Sequence, residues 1–406
     1  MSMNTQLFQG QHIRLGQINY EKDPAIESGW THNSKYLHSL GPQIGRPLSA
    51  ARIKKRYEAI EKEMDESKNL FYFTIRSQED DRLLGFARLF WIEWSNGSGG
   101  IQIAIGNPDE RNQPYAREAL QLVLNYAFRE LNLYRLSAFA SEDDPAGIDL
   151  LKSAGFVEEV RRRQAIWRNG KTLDLLLMGL LNSVSRESRV ESAEDRQDKA
   201  TTAPHAIHNS PITEKVSALT TEDLFSGQQT RLTAEDPEIM AKAFARWNLD
   251  SEYLRLLDSD PPRLWSEKQF KDWFEKDLEK NDPNDFFFMV RLLDGEQPIG
   301  FTGLFDLHWN HGDALVAIAL GDRTYWGNGY GTDAMRILLR YAFIEMNLRR
   351  VTLIVFDYNS RARRSYEKCG FAHEGTVRGI IQREGRRWDW HYMGVLRQEW
   401  EQNAQR

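Results

Sequence analysis

The stretch TYWGNGYGTDAM, residues 324–335, places three glycines within five positions and then enters a helical pattern. A strand that runs into glycines and opens a helix aims several backbone N–H groups, and the positive end of the helix dipole, at one point. That point suits the oxygens of a phosphate. Gly329 and Gly331 matter because a residue without Cβ lets the backbone approach a ligand and adopt positive φ. Two phosphate loops are excluded by residue type: a dinucleotide fingerprint needs glycine where Thr332 stands, and a P-loop needs a Gly-Lys-Ser/Thr ending that is absent. The loop therefore points to a different phosphate-bearing cosubstrate.

The elements that must position this loop are legible around it. ALVAIAL (314–320) reads as a buried central strand, and after the glycines Met335, Leu338, Leu339, Ala342, Phe343 and Met346 recur at helical spacing, with Thr332 placed to cap the helix. Upstream, Ser266 and Gln269 form a capping box for a helix whose apolar face holds Phe270, Trp273, Phe274 and Leu278. Strand-like runs occupy 286–292, 299–309 and 350–356, a short helix spans 360–370 and stops at Gly370, and a hairpin turns at Glu384 and Gly385. Its counterpart near the middle of the chain turns on Asn169-Gly170, the strongest short-range hairpin signal.

That counterpart belongs to an internal repeat. A chain of 406 residues exceeds what one core usually organises. Gly85 falls on Gly300, and the same offset of 215 aligns YAFRELNLYR (126–135) with YAFIEMNLRR (341–350) and Gly155-Phe156 with Gly370-Phe371. A period this long means duplicated domains, not a solenoid. We assign residues 1–182 and 223–406 to the two copies, each α+β with a mostly antiparallel mixed sheet flanked by helices. Residues 183–222 carry no aromatic side chain and read as a flexible linker, the competing reading being an ordered strap anchored by AIHNSPI (206–212).

The order strand, glycine loop, helix, strand, short helix with YEKCGF and hairpin resembles the GNAT superfamily of acetyl-CoA-dependent N-acetyltransferases. The likeness is to the branch that modifies ribosomal-protein N-termini and small amines, and it covers nearly all of 223–400. WGNGYG (326–331) matches both glycine positions of the family's loop, with Trp326 departing at its first position, and NSRARRSYEKCGF (359–371) completes the match. The resemblance implies acetyl-CoA as cosubstrate, its diphosphate held by Trp326, Gly327, Asn328, Gly329, Tyr330, Gly331 and Thr332. It implies that backbone groups of Ile318, Ala319 and Leu320 serve the pantetheine arm and the thioester oxygen, and that Asn359 bonds that arm. Tyr366 becomes the general acid at the sulfur, and Arg361 and Arg364, with Arg363, reach toward the 3′-phosphate. Many members carry a glutamate on the central strand where Leu315 stands here, so the base is open between His308 and Asp306, with Asp313 nearby.

In the first copy RNQPYA (111–116) puts Pro114 where Gly329 stands, Asp144 replaces Asn359 and Leu151 replaces Tyr366. Proline has no N–H to donate. The expectation is a non-catalytic first copy and an N-acetyltransferase in the second, acting on a primary amine of a small molecule or a peptide N-terminus. The alternatives are an acyl-CoA-binding sensor without turnover, or a first copy that serves as a substrate-recognition lid.

Other features bound this reading. Phe305, Trp309, Trp388 and Trp390 either line an acceptor pocket or form ordinary sheet core. Cys369, the only cysteine, excludes an internal disulfide, reads as a small core filler and fits a reducing cytoplasm. A formal charge of −6 argues against a nucleic-acid partner, and no apolar run is long enough to span a bilayer. No set of His, Cys and acidic residues has metal-ligand spacing, so no metal is expected. A fused duplicate can imitate a dimer within one chain, leaving a monomer with an intramolecular pseudo-dimer or a homodimer.

Overall fold

The computed structural model describes residues 6–41, 45–110, 113–182, 223–280, 282 and 284–404. The linker assigned to 183–222 and Arg111 of the first copy's loop lie outside the described residues.

Both halves run through the same order of elements. The first contains β1 (Ile13–Gly16), α1 (Asp23–Trp30), α2 (Ser34–Ser39), α3 (Ala50–Ser67), β2 (Phe71–Ser77), β3 (Leu83–Glu93), β4 (Ser98–Ile105), α4 (Tyr115–Asn125), β5 (Arg135–Ser141), α5 (Pro145–Ser153), β6 (Val157–Arg168) and β7 (Lys171–Leu181). The second contains β8 (Thr230–Thr233), α6 (Pro237–Trp247), α7 (Ser251–Leu257), α8 (Glu267–Lys280), β9 (Phe286–Leu292), β10 (Pro298–His308), β11 (Asp313–Leu320), α9 (Tyr330–Arg340), β12 (Arg350–Phe356), α10 (Ser360–Lys368), β13 (Ala372–Arg383), β14 (Arg386–Leu396) and α11 (Arg397–Ala404).

The helices follow from their apolar stripes. Ala334, Met335, Leu338, Leu339, Ala342 and Phe343 are all buried against the sheet, each large side chain contributing roughly 1.5–3 kcal/mol by leaving water. The capping box forms: Gln269 N donates to Ser266 Oγ and Ser266 N to Gln269 Oε1. On that helix Phe274 is buried, but Trp273 and Leu278, expected on the same inner face, are 44% and 61% exposed. Both hairpins turn with positive φ at two successive residues, Asn169-Gly170 and Glu384-Gly385, the backbone that matches strand twist.

The fourteen strands among the described residues join in one sheet, ordered β1-β2-β3-β4-β5-β7-β6-β13-β14-β12-β11-β10-β9-β8. Reading inward from either edge meets equivalent strands, so the two copies are related by a pseudo-two-fold axis between β6 and β13. There Val160 pairs with Gly375, which are the same position of the repeat. A side chain at Gly375 could not fit: its Cβ would fall 2.3 Å from Glu159 O and 2.5 Å from Val160 Cα, both backbone atoms. One copy kept valine, buried in the apolar cluster at the axis with Leu177, Val377, Ile381 and Tyr392, and the other is glycine.

Reciprocal polar contacts flank the axis. Arg350 and Arg135, equivalent and almost wholly buried, pair with Glu374 and Glu159 of their own halves, at 2.6 and 2.8 Å. Each glutamate then receives an arginine from the other half, Arg163 on Glu374 and Arg378 on Glu159. Further out, Gln382 N donates to Asn96 Oδ1 and Trp167 N bonds His311 Nδ1, so each hairpin is tied to a turn of the opposite half. Gly375→Ala is expected to lower unfolding free energy in urea by about 1–3 kcal/mol through overpacking at the axis; an unchanged midpoint would show that the strands can part there at no cost.

Candidate active site

β11 and β12 start as a parallel pair and then separate. Their register is Asp313–Arg350, Ala314–Val351 and Leu315–Thr352, and no pairing follows. The parting corrects the expectation of a uniformly buried strand: the four residues from Ala317 to Leu320 are only half-buried. β11 stays bonded to β10 on its other side. Gly321 N bonds Ile299 O, and the alternation of an antiparallel ladder then turns the backbone of Ala319 back toward β10 and those of Ile318 and Leu320 toward the gap. Of the three expected backbone contributors, Ala319 is thus already spent.

The gap is a cleft of about 360 Å³. Its floor is Ile318–Leu320, one wall is the glycine loop with the start of α9, and the opposite wall is α10 with Asn359, Arg361, Arg364 and Tyr366. The cap of α9 is Gly329, at φ 91°, not Thr332, and among the described residues no side chain caps the start of the helix. Thr332 sits in the first turn, where its hydroxyl bonds Ser365 Oγ at 2.7 Å and so ties α9 to α10. A Cβ at Gly327, also at positive φ, would meet nothing within 4 Å, and one at Gly331 only Leu320 Cδ1 at 3.7 Å. Uncapped amides with open space before them fit a diphosphate.

Trp326 contributes more than backbone. Its indole N–H donates to Leu320 O at 2.8 Å, closing the last carbonyl of β11, and its ring lies 3.9 Å beneath the Arg361 guanidinium. Arg361 and Arg364 face the cleft, whereas Arg363 points along the helix to Glu367. Asn328 spends its side-chain amide on Thr324 O, and Tyr330 packs against Tyr325, so neither side chain lines the cleft and both offer only backbone. Asn359 caps α10, its Oδ1 accepting from Ala362 N, which leaves the amide NH₂ for a ligand.

Two phenols converge on the cleft. Tyr366 is half-buried, its hydroxyl makes no hydrogen bond among the described residues, and burial, with Cys369 adding, raises its phenol well above the ordinary 10. It therefore stays protonated at neutral pH and can donate. Tyr253, from α7, is 3% exposed with its hydroxyl unpartnered among the described residues. An orphan hydroxyl at a cleft wall is expensive unless a ligand bonds it. Sequence reasoning missed it because a tyrosine at helical spacing among aromatics reads as core; Tyr36, its counterpart beside Trp30, does have a partner, Glu27. Cys369 is buried under Thr332 O, and burial pushes its thiol up to about 11.

The expected bases lie elsewhere. A bulge between Phe305 and His308 turns β10, with Asp306 at φ 49° and 61% exposed, and both His308 and Asp306 line a cavity of the first half instead of this cleft. Asp313 is buried in an ion-pair cluster with Arg350 and Arg162. Trp388 and Trp390 join the apolar cluster at the axis, Phe305 closes over Gly303, and Trp309 is half-exposed with its N–H on Asn284. None of these aromatics lines the cleft. Among the described residues no group of His, Cys and acidic side chains could hold a metal.

The first half keeps the cleft but not its equipment. β4 and β5 also part after three paired residues. Pro114 caps α4 without an N–H, Asp144 takes the place of Asn359 as helix cap, and Leu151 stands where Tyr366 does. One anchor is common to both. Asp333, in the first turn of α9, accepts from the amides of Gln228, Gln229 and Thr230 and from the Thr230 hydroxyl at 2.8–3.0 Å, as Glu118 does from Gln11 and His12. Burial alone would raise the Asp333 carboxyl, but those amides outweigh it and hold it below the ordinary 3.8. Asp333→Asn should cost about 1.5–3 kcal/mol of stability, the range for bonds to a charged acceptor. Because the folded carboxyl is depressed, that contribution is complete above pH 3.8 and fades only as pH falls below it. Parallel unfolding curves of both proteins at neutral and acid pH test this, and an equal difference at both pH values would contradict it.

The family described as Acetyltransferase (GNAT) domain matches residues 13–157 and again 230–372. The SPbeta prophage-derived uncharacterized N-acetyltransferase YokL of Bacillus subtilis is 30% identical over 180 residues, covering 44% of this chain and 96% of that protein. The Spermidine N(1)-acetyltransferase of Vibrio cholerae is 26% identical over 168 residues, covering 39% and 91%. A crystal structure of spermidine N-acetyltransferase from Vibrio cholerae in complex with CoA and spermine aligns with TM-score 0.37 and 22% identity over 42% of this chain and 96% of that one. These relatives correspond in length to one half of the chain. With the family matched across most of its length, and one copy in each half, the chain belongs to the acetyltransferase (GNAT) family.

Proposed function

We propose that the chain is an acetyl-CoA-dependent N-acetyltransferase whose chemistry takes place in the second half, on a primary amine of a small molecule or a peptide N-terminus. One observation carries this reading: uncapped helix amides, parted strands and a free phenol meet in the second-half cleft, while the first half has proline, an acid and leucine at the matching positions. The family and the relatives support the reaction type.

Acetyl-CoA supplies a thioester whose carbonyl carbon takes the amine nitrogen as the C–S bond breaks. The amides of Gly329, Tyr330 and Gly331 hold the diphosphate, with Arg361 and Arg364 beside it. Backbone N–H groups of Ile318 and Leu320 face the gap and stabilise developing charge on the acyl oxygen. Tyr366 gives its phenolic proton to the departing sulfur, and Tyr253 donates its otherwise unpartnered hydroxyl to the pantetheine arm or the acyl group.

No carboxylate or imidazole is among the described residues that line the cleft. The amine therefore enters as its free base and passes its proton to water. The test is release of free thiol from acetyl-CoA by the full-length protein, with spermidine and peptide α-amines as acceptors. Turnover with at least one amine is expected, abolished by Gly329→Pro; binding of acetyl-CoA with no thiol release for any amine would favour a sensor. Tyr366→Phe should lower kcat by about 10²-fold, the usual scale for a general acid, with KM for acetyl-CoA little changed. The value of kcat/KM should rise with pH at a slope of about one up to the acceptor's own pKa; an inflection near 6.5, the ordinary value for imidazole, would mean that a histidine takes the proton.

A further inference from the structure

The first half holds a cavity of about 940 Å³ in the place of the cleft. Its coenzyme-side wall has changed sign: Asp144 and Asp149 stand where the second half has Asn359 and Arg364, and Pro114 supplies no amide. Deeper in, it has gained a cation. Arg88 on β3 lines the cavity, its Nε bonded to Gln102 Oε1 at 2.8 Å and its guanidinium 4.8 Å from the Phe90 ring. Its two terminal nitrogens make no hydrogen bond and no ion pair among the described residues, the Glu63 carboxylate acting on its charge only from beyond ion-pairing distance.

Neither Arg88 nor Gln102 has an equivalent in the second half. The matching positions are Gly303 and Ala317, and there the ring of Phe305 closes the space, 2.8 Å from where a Cβ of Gly303 would lie. Gln102 is itself fixed, donating to Leu40 O at 2.8 Å. A guanidinium so oriented and desolvated, with its outer edge free, is built to take a planar anion in two parallel bonds. Arg162 also borders the cavity but is committed to Asp313 and Thr352 of the other half, and Arg117 is an exposed lining residue. Glu63, Asp306 and His308 also border the cavity, so among the described residues Arg88 is the one uncommitted interior guanidinium in an otherwise acid-rich lining, which matches a single negative charge and disfavours a diphosphate. Trp91 and Phe139, in edge contact at 6.4 Å, add an aromatic rim.

We propose that this cavity is a binding site for a small monocarboxylate with an apolar or aromatic body, the carboxylate on Arg88. It is a second site in the chain, separate from acetyl transfer, and it stands whether or not the second half proves catalytic.

Isothermal titration of the full-length protein with 3-phenylpropionate tests it, with the uncharged 3-phenylpropanamide and inorganic phosphate alongside. Saturable 1:1 binding of the carboxylate is expected, with the amide at least about tenfold weaker for loss of the charge-assisted pair and no competition by phosphate. Arg88→Met should weaken the carboxylate by a similar factor. Gln102→Glu, which neutralises Arg88 without emptying the cavity, should do the same and serves if the first variant does not fold. Absence of binding, equal affinity for the amide, displacement by phosphate, or affinity unchanged in a folded variant of either kind would each overturn the proposal. So would displacement of the carboxylate by acetyl-CoA, which would return the cavity to coenzyme binding.

Discussion

Two parallel strands that begin together and then part create the site. β11 and β12 share three paired residues, and the root of that pairing is clamped by charge: Asp313 accepts from Arg350 and Thr352 on β12 and from Arg162 of the other half. Beyond the clamp the backbone of Ile318 and Leu320 loses its strand partner. Unpaired backbone groups in a protein interior cost free energy, and the structure limits that cost by placing the Trp326 indole on Leu320 O and leaving the remainder on a cleft wall. The opening is the price of a sheet that stops pairing where a ligand is to lie.

The same clamp binds the copies together. Arg162 comes from the first half, and Arg163 beside it reaches Glu374, which holds Arg350. The cleft root therefore rests on residues from both halves, and the inert copy is structural support for the active one in the proposed division of labour. Duplication also released a symmetry constraint. At a true two-fold axis Val160 and Gly375 would be one residue facing itself; in a single chain they diverged, so one could fill the seam while the other made room.

Much of the fold was legible because its signals are local. Helical stripes, the Ser266 capping box and the two hairpin turns depend on residues within a few positions of one another, and the offset of 215 needed only the chain compared with itself. The glycine loop was legible for the same reason, since positive φ and missing side chains are properties of residue type. The helix is capped by Gly329 and not by Thr332 because glycine can begin it from a left-handed conformation that threonine avoids, and the threonine hydroxyl bonds Ser365 instead. His308 and Asp306 line the first half's cavity and not the cleft, β10 being bulged between Phe305 and His308, and a bulge at non-glycine residues leaves little trace in sequence.

By itself the sequence determined that there are two copies, that one retains glycines where a phosphate would sit, and that the other lost an amide to Pro114, because each is a matter of residue identity and order. Tertiary structure decided that the sheets merge into one and that, among the described residues, the Tyr253 hydroxyl at the cleft has no partner and Arg88 of the first half forms no ion pair. Those outcomes rest on which side chains meet across hundreds of residues, and burial and pairing of polar groups are properties of the packed chain that no local pattern encodes.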